Sequence, residues 1–437
     1  MKAVIMAGGR GTRISSLTRT IPKPMIKVDG KPILEHEIEC LREQNVTDII
    51  VTVNYLRDAI TDYFGDGSAL SPATGKAFGV NISYYIETEP MGNAGALFEF
   101  KDQLTEDFLL LNGDALFRVD IARLVAAHRA FGGLATLFTH PNSHPYDSAL
   151  IVADKNCAVT KWITKEDDKP EYYHNQVNAG LHILSPELLK NRPITAKVDL
   201  DRQILKPLAG TGKLFCYESS EYVKDMGTPE RYAAVCEDYH SGIVEARDLR
   251  KAQRAVFLDR DGVINEYVGF LRDTREFKLL PGVADAIRRL NNSGRLVIVV
   301  TNQPVIARGE IMPEQLDEIH KKMETLLGKE GAYLDAIYYC PHHPDKGYPG
   351  EIAELKINCP CRKPKPGMLL RAAEDYHVDL ASSWMVGDGE NDIKAGIAAG
   401  CQTALIDCKG RNYGQTVTGS SLAEAVKLIL KNEENHK

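Results

Sequence analysis

No stretch of the 437-residue chain approaches the roughly 18 consecutive apolar residues of a membrane span, and no apolar signal segment precedes the glycines near the N-terminus. That excludes a spanning helix and leads us to expect a cytoplasmic protein with no membrane partner. There is no basic excess either. Lys and Arg number 53 against 60 Asp and Glu, a net charge of -7, so no positive surface field is available to hold nucleic acid. Internal repeats and low-complexity tracts are missing. The nine cysteines do not read as a disulfide framework in so long a chain. Cys40, Cys157, Cys216, Cys236, Cys401 and Cys408 are scattered singly, as small buried hydrophobes are. Cys340, Cys359 and Cys361 instead crowd together. What remains is the composition of a globular protein, 43% hydrophobic and 26% charged, too long for one core.

Both halves alternate short apolar runs with helical spacing of apolar residues, the pattern of parallel sheets covered by helices. "KAVIMA", "DIIVTV", "FLLLN" and "LATLFT" are strands of the first half, with "PILEHEIECLREQ" and "DIARLVAAHRAF" as helices. "AVFLD", "LVIVVT", "AIYYC", "WMVGD" and "TALID" are strands of the second, with "GVADAIRRLNNSG" and "PEQLDEIHKKMETLLG" as helices. The fold class is therefore α/β in two domains, each a mostly parallel sheet covered by helices. The domains are placed at residues 1–240 and 254–437, with a linker over 241–253.

"MAGGRGTR" follows the first strand directly, and Gly8, Gly9 and Gly11 let backbone N–H groups close around phosphate oxygens. It lacks the third glycine of a dinucleotide loop and the Gly-Lys-Ser/Thr of a P-loop, so a plain turn stands beside the phosphate reading. The longer run "GGRGTRISSLTRTIPKPM", followed by "LNGDALF", "VNAGLHIL" and "VKDMGTPERY", resembles the sugar-1-phosphate nucleotidyltransferases over roughly residues 1 to 240. Those enzymes, with a Rossmann-like fold, join a nucleoside triphosphate to a sugar 1-phosphate and release pyrophosphate. The resemblance implies that Arg13 holds the β- and γ-phosphates, that Lys23 bridges the reacting phosphates, and that Asp114 and Asp225 bind Mg²⁺, a hard ion suited to carboxylates. It also places Gly92 against the base, Asn178 and Gly180 on the sugar, and Lys169 on the sugar phosphate. Ile14 and Ser16 replace the family's leucine and proline at packing positions. Asp168-Lys169-Pro170 replaces its Glu-Lys-Pro, which shortens one sugar contact by a methylene.

In the second half, "FLDRDGVIN" puts Asp259 and Asp261 at the carboxyl end of a strand, where open α/β sheets place their ligands. Two residues apart on extended backbone, both carboxylates face one reacting centre. With "VVTNQ", "CRKPKPGM" and "VGDGEND" in that order, residues 254 to 408 resemble the haloacid dehalogenase superfamily of phosphatases. By that resemblance Asp259 attacks phosphorus to form an aspartyl-phosphate, and Asp261 protonates the leaving oxygen and then activates water. Asp259, the carbonyl of Asp261, and Asp388 hold Mg²⁺, and Thr301 and Lys363 steady the phosphoryl oxygens, beside substrate contacts from Asn302 and Gln303. Asp392 orients Lys363 or the metal's waters, or simply starts the next helix.

Cys340-x-His342 and Cys359-x-Cys361 supply four N and S donors, a set suited to a closed tetrahedral zinc site. C-x-C lacks the C-x-x-C spacing of a redox pair, and His343 is a rival to His342. A structural zinc here pins the loop that delivers Arg362 and Lys363. "DRDGVIN", "TNQ" followed by "ARG", and this loop together resemble two related phosphatases that lack a large cap domain. One cleaves the 7-phosphate of D-glycero-D-manno-heptose 1,7-bisphosphate, and the other cleaves histidinol phosphate. Arg308 and Arg362 suit a second anionic group, which a bisphosphate supplies. A heptose bisphosphatase leaves the sugar 1-phosphate that the first half consumes, so the fusion favours heptose, with guanylyl transfer from GTP. The alternatives are a hexose-1-phosphate nucleotidyltransferase joined to a histidinol-type or other small-molecule phosphatase, or one half acting only as a binding module. Oligomeric state is not legible.

Overall fold

Alternate residues of a short apolar strand turn to opposite faces of its sheet, so a strand apolar at every position is covered on both sides. The structure, a computed structural model, describes residues 1–9, 14, 20–190 and 197–434, the last two by backbone alone. It divides the chain into two units. One comprises Met1–His140, Ala149–Thr164 and Val177–Asp248; the other comprises Pro141–Ser148, Lys165–Gln176 and Leu249–Lys437. Among the described residues no helix is long and apolar enough to cross a membrane.

In the first unit the strand Ala3–Met6 lies between parallel neighbours Asp48–Val53 and Phe108–Asn112, and Asn81–Ile86 adds a fourth parallel strand. Ala3, Ile5, Ile49, Val51, Leu109 and Leu111 pack on one face; Val4, Ile50 and Leu110 pack on the other. Beyond Phe108–Asn112 the sheet turns antiparallel through Val177–Leu184, which pairs in turn with Ala135–His140. A separate two-stranded antiparallel sheet pairs Ala115–Arg118 with Tyr222–Asp225. Helices start where the sequence supplies caps: Asp120 accepts from the Arg123 N–H, and Thr228 does the same for Arg231 ahead of Pro229. The helix Ile121–Phe131 stops at Gly132, whose φ of 66° is a left-handed cap.

The second unit is built on six parallel strands in the order Ala336–Cys340, Leu296–Asn302, Ala255–Leu258, Trp384–Gly387, Gln402–Ile406, Val417–Gly419. Val256, Leu258, Val297, Val299 and Trp384 face one layer of helices; Ala255, Phe257, Ile298, Val300 and Met385 face the other. The helix Val283–Asn291 buries Val283, Ala286, Ile287 and Leu290, a spacing of three and four. Residues 165–176 fold with this unit because their polar groups find partners on the helix Pro313–Lys329. The Tyr173 N–H donates to Thr325 Oγ1 at 2.9 Å, and the His174 ring sits between Glu324 and Asp317. Burial pulls His174 down, but those two carboxylates outweigh it and hold the ring protonated, with its pKa up at about 10.

Candidate active sites

A cavity of about 660 Å³ opens at the carboxyl ends of the parallel strands of the first unit, lined by Met6, Thr52 and Asn112 from the strand ends and by Gly8, Gly9 and Gly92. Lys23 is 8% exposed and its ammonium contacts Asp114, which follows the strand Phe108–Asn112 through Gly113. Beneath them lies a carboxylate that sequence reading passed over. Glu37 is fully buried and accepts from the Ala115 N–H at 3.3 Å; burial first, then Asp114, raises its pKa well above the usual range. Asp225 comes to the same region because its antiparallel register sets it opposite Ala115, with the Met226 N–H donating to the Asp114 carbonyl at 3.0 Å. Burial raises Asp225, but Arg231, donating to both its oxygens at 3.0 and 2.8 Å, outweighs it and lowers its pKa.

Gly92 reaches the cavity by a close backbone approach. Its φ is +78°, and a Cβ there would lie 2.3 Å from the Val198 carbonyl oxygen. Gly180 likewise has φ +75°, with Asn112 where a side chain would be, and its N–H is held by Asn178 at 3.2 Å. Lys169 belongs to the second unit, and its ammonium donates to three carbonyls, of Pro145, Tyr146 and Ser148, at 2.7–2.8 Å. Gly11 and Arg13 lie outside the described residues. Glu87 was also passed over. It is 7% exposed, lines the cavity and abuts Gly8, and burial raises its carboxyl against a Met91 N–H that lowers it. It immediately follows the strand Asn81–Ile86, so the strand-end rule that singles out Asp114 also finds it.

The second unit carries an open cavity of about 310 Å³ lined by Asp259, Asp261, Thr301, Asn302, Gln303, Arg362, Lys363, Asp388 and Asp392, among others. Four separate segments of sequence meet there. Lys363 is 2% exposed and lies 2.9 Å from Asp259 and 2.6 Å from Asp392. Asp392 also accepts from the Gly389 N–H at 3.1 Å, so it orients Lys363 and caps its helix at once. Asn302 grips the Lys363 backbone in both directions, at 3.0 and 3.1 Å. Gln303 donates to Asp261 and to the Thr301 hydroxyl, both at 2.9 Å. Arg308 is stacked between the rings of Phe270 and Tyr348, 3.9 and 4.2 Å from their centroids.

The electrostatics separate the two aspartates. Burial pushes Asp259 up to about 6, with Lys363 opposing and Asp392 and Asp261 adding to it. Burial also raises Asp388, reinforced by Asp259. Carboxylates that raise one another in this way are relieved by a shared cation, and oxygens of Asp259, Asp388 and Asp392 converge within 4.8 Å. Asp261 behaves oppositely. Burial raises it, but donors from Arg260, Asn265 and Gln303 lower it below the usual carboxylate range.

Beside this cavity, donors of Cys340, His342, Cys359 and Cys361 also lie within 4.8 Å of one another. The His342 Nδ1 faces Cys340 Sγ at 3.6 Å, while His343 accepts from the Asp345 N–H at 3.2 Å. His342 rather than His343 is therefore the fourth member. Three sulfurs and one imidazole nitrogen fit a tetrahedral soft-donor site.

Residues 2–242, more than half of the chain, match the nucleotidyl transferase family, and residues 203–400 match the haloacid dehalogenase-like hydrolases. The D-glycero-beta-D-manno-heptose-1,7-bisphosphate 7-phosphatase of Yersinia pestis is 41% identical over 172 residues, 39% of this chain and 88% of that protein. The mannose-1-phosphate guanyltransferase of Eremothecium gossypii is 33% identical over 241 residues, 54% of this chain and 63% of that protein. A crystal structure of D,D-heptose 1.7-bisphosphate phosphatase from B. bronchiseptica, complexed with magnesium and phosphate, is 35% identical and covers 41% of this chain and 99% of that one, with a TM-score of 0.37. The chain belongs to the nucleotidyl transferase family, and its second half to the haloacid dehalogenase-like phosphatases. It is an enzyme with two activities.

Proposed function

We propose that the second half removes the 7-phosphate of D-glycero-D-manno-heptose 1,7-bisphosphate and that the first half transfers GMP from GTP to the resulting heptose 1-phosphate, releasing pyrophosphate. The observation that carries this is one chain holding two strand-end sites whose chemistries connect, since hydrolysis at one position of a sugar bisphosphate leaves the other phosphate for transfer. The 41% identity to a heptose bisphosphatase over most of that protein supports the sugar. The 33% identity to a guanyltransferase supports the base.

In the phosphatase, Asp259 is the nucleophile and Lys363 neutralises the phosphoryl oxygens. Thr301 contributes a hydroxyl, and Arg308 and Arg362 take the second phosphate. Asp259, the Asp261 carbonyl and Asp388 would hold Mg²⁺, which offsets charge on the transferring group. Zinc on Cys340, His342, Cys359 and Cys361 would fix the loop before Lys363. In the transferase, Lys23 and Arg13 hold the triphosphate over Gly8, Gly9 and Gly11, with Asp114 and Asp225 as carboxylates for a second Mg²⁺. Gly92 packs on the base, and Asn178 and Gly180 serve the sugar. Glu87 favours guanine in particular: a carboxylate only accepts, and guanine presents an amino group beside a ring N–H.

The test is product analysis with heptose 1,7-bisphosphate and each of GTP, ATP, CTP and UTP. Inorganic phosphate, then GDP-heptose and pyrophosphate, are expected. Transfer with another base would overturn the guanine assignment, and phosphate release without any nucleotide sugar would overturn the coupling.

A further inference from the structure

The guanidinium assigned above to the second phosphate is an inner member of a series of alternating rings and cations. Arg308 lies 3.9 Å from the Phe270 ring centroid and 4.2 Å from that of Tyr348. The Tyr348 ring in turn carries the Lys356 ammonium at 4.5 Å. The Lys356 side chain is wholly buried, donates to the Asp345 carbonyl at 2.7 Å and lies 3.3 Å from Glu351. Glu351 also accepts from the Tyr348 N–H at 3.0 Å, so the ring is fixed at its backbone as well. Phe270 is mounted separately: it lines the phosphatase cavity and packs on the cluster of Val305, Ile306, Ile311 and Leu316. Backbone contacts hold the Tyr348 loop against the Arg308 turn. The Ile352 N–H donates to the Ala307 carbonyl at 3.0 Å. A Cβ on Gly309, whose φ is +67°, would lie 1.9 Å from the Gly350 carbonyl oxygen. Among the described residues the buried Arg308 Nε has no hydrogen-bond partner. Glu310 stands off at 3.8 Å from a terminal nitrogen and is engaged instead by Arg272 at 2.5 Å.

Resting on the phosphatase reading above and its assignment of Arg308, we propose that Phe270 and Tyr348 are positioning residues that clamp Arg308, and that this clamp sets the preference for a sugar bisphosphate over a monophosphate. A guanidinium is flat, and its N–H bonds lie in its own plane. Rings packed on its faces keep water off them and leave the N–H edge as the part that can meet an anion. An arginine free in water gives up rotamer freedom when it binds phosphate. One already held by two rings does not, so more of the contact appears as affinity. The effect belongs to binding rather than to chemistry, because the second phosphate is not the one whose phosphorus Asp259 attacks. Losing such a contact weakens substrate and transition state together, which raises KM and leaves kcat in place.

The test measures phosphate release from heptose 1,7-bisphosphate and from heptose 7-phosphate, which differs only in lacking the 1-phosphate. Tyr348→Leu is expected to lower kcat/KM for the bisphosphate about 5- to 30-fold through KM, with kcat changed less than about twofold. The same variant should change neither constant for the monophosphate by more than about twofold. Tyr348→Phe keeps the ring and should retain the bisphosphate preference. Phe270→Leu, on a different segment, should reproduce the selective loss if Tyr348→Leu fails to fold. Equal losses on the two substrates, no loss at all, or Tyr348→Phe behaving like Tyr348→Leu would overturn the inference. An unmodified chain with no preference for the bisphosphate would remove the role given to Arg308, and the clamp with it. No phosphate released from either substrate by the unmodified chain would instead overturn the phosphatase reading itself.

Discussion

Glu87 shows what a single side chain contributes to choice of substrate. Buried against Gly8 in the transferase cavity, it is an acceptor with few alternatives, and a base that offers donors satisfies it. Changing Glu87→Gln turns one of its two acceptors into a donor. Comparing kcat/KM for GTP and ATP on the same sugar phosphate should then show the ratio falling about tenfold to hundredfold. An unchanged ratio would mean that the base is read elsewhere. At this scale the acids were legible in the sequence, because parallel strands gather their chemistry at their carboxyl ends: Asp114, Asp259, Asp261 and Asp388 all follow short apolar runs. The rings against Arg308 were not. Phe270 and Tyr348 reach it from separate loops, and a ring packed on a cation leaves no local pattern. The three carbonyls around Lys169 were hidden for the same reason, since backbone acceptors carry no residue signature.

The loop between the strand Ala336–Cys340 and the helix Gly367–Tyr376 is the element on which phosphatase chemistry depends most. It has little regular structure of its own, only the short turn Ala353–Leu355, yet it must present Lys363 to Asp259. Two devices hold it: the Asn302 amide on the Lys363 backbone, and the convergence of Cys340, His342, Cys359 and Cys361 just before it. If zinc occupies that convergence, metal analysis should find about one zinc per chain. Cys361→Ser, assayed with Mg²⁺ in excess, should depress phosphate release at least tenfold without touching nucleotidyl transfer. A zinc-free protein fully active as a phosphatase would contradict the assignment. Short apolar runs and helical period identified the strands Ala3–Met6, Asp48–Val53, Phe108–Asn112 and Ala135–His140 of the first unit, all but Val417–Gly419 in the sheet of the second, and the helices at 33–42, 121–131, 283–291 and 313–329, but not strands such as Asn81–Ile86 and Leu214–Glu218. What period cannot give is which element lies beside which. The antiparallel strand Val177–Leu184 and the folding of residues 165–176 with the second unit depend on pairing and hydrogen bonds between distant segments.

For the whole molecule, each half has its own first strand, its own strand-end acids and its own buried lysine, Lys23 in one and Lys363 in the other. Neither chemistry should need the other's residues. Asp259→Asn should abolish phosphate release from heptose 1,7-bisphosphate while leaving transfer to supplied heptose 1-phosphate intact. Asp114→Asn should do the reverse and accumulate the sugar 1-phosphate. Mixed together, the two variants should carry bisphosphate through to nucleotide sugar, as judged by chromatography of the products. A folded Asp259→Asn chain that also lost transfer would defeat the two-site reading.

That both sites lie on one polypeptide fixes something neither site determines alone. Every translated chain delivers one phosphatase and one transferase, so gene expression cannot alter their ratio. The level of free intermediate is then governed by the two turnover rates and written into the coding sequence itself. The half that comes second along the chain acts first, and its hydrolysis runs one way while pyrophosphate release can run back. Under that arrangement the hydrolytic half drives flux, and any mutation that slows only the transferase appears as a standing pool of sugar 1-phosphate rather than as a shortage of it.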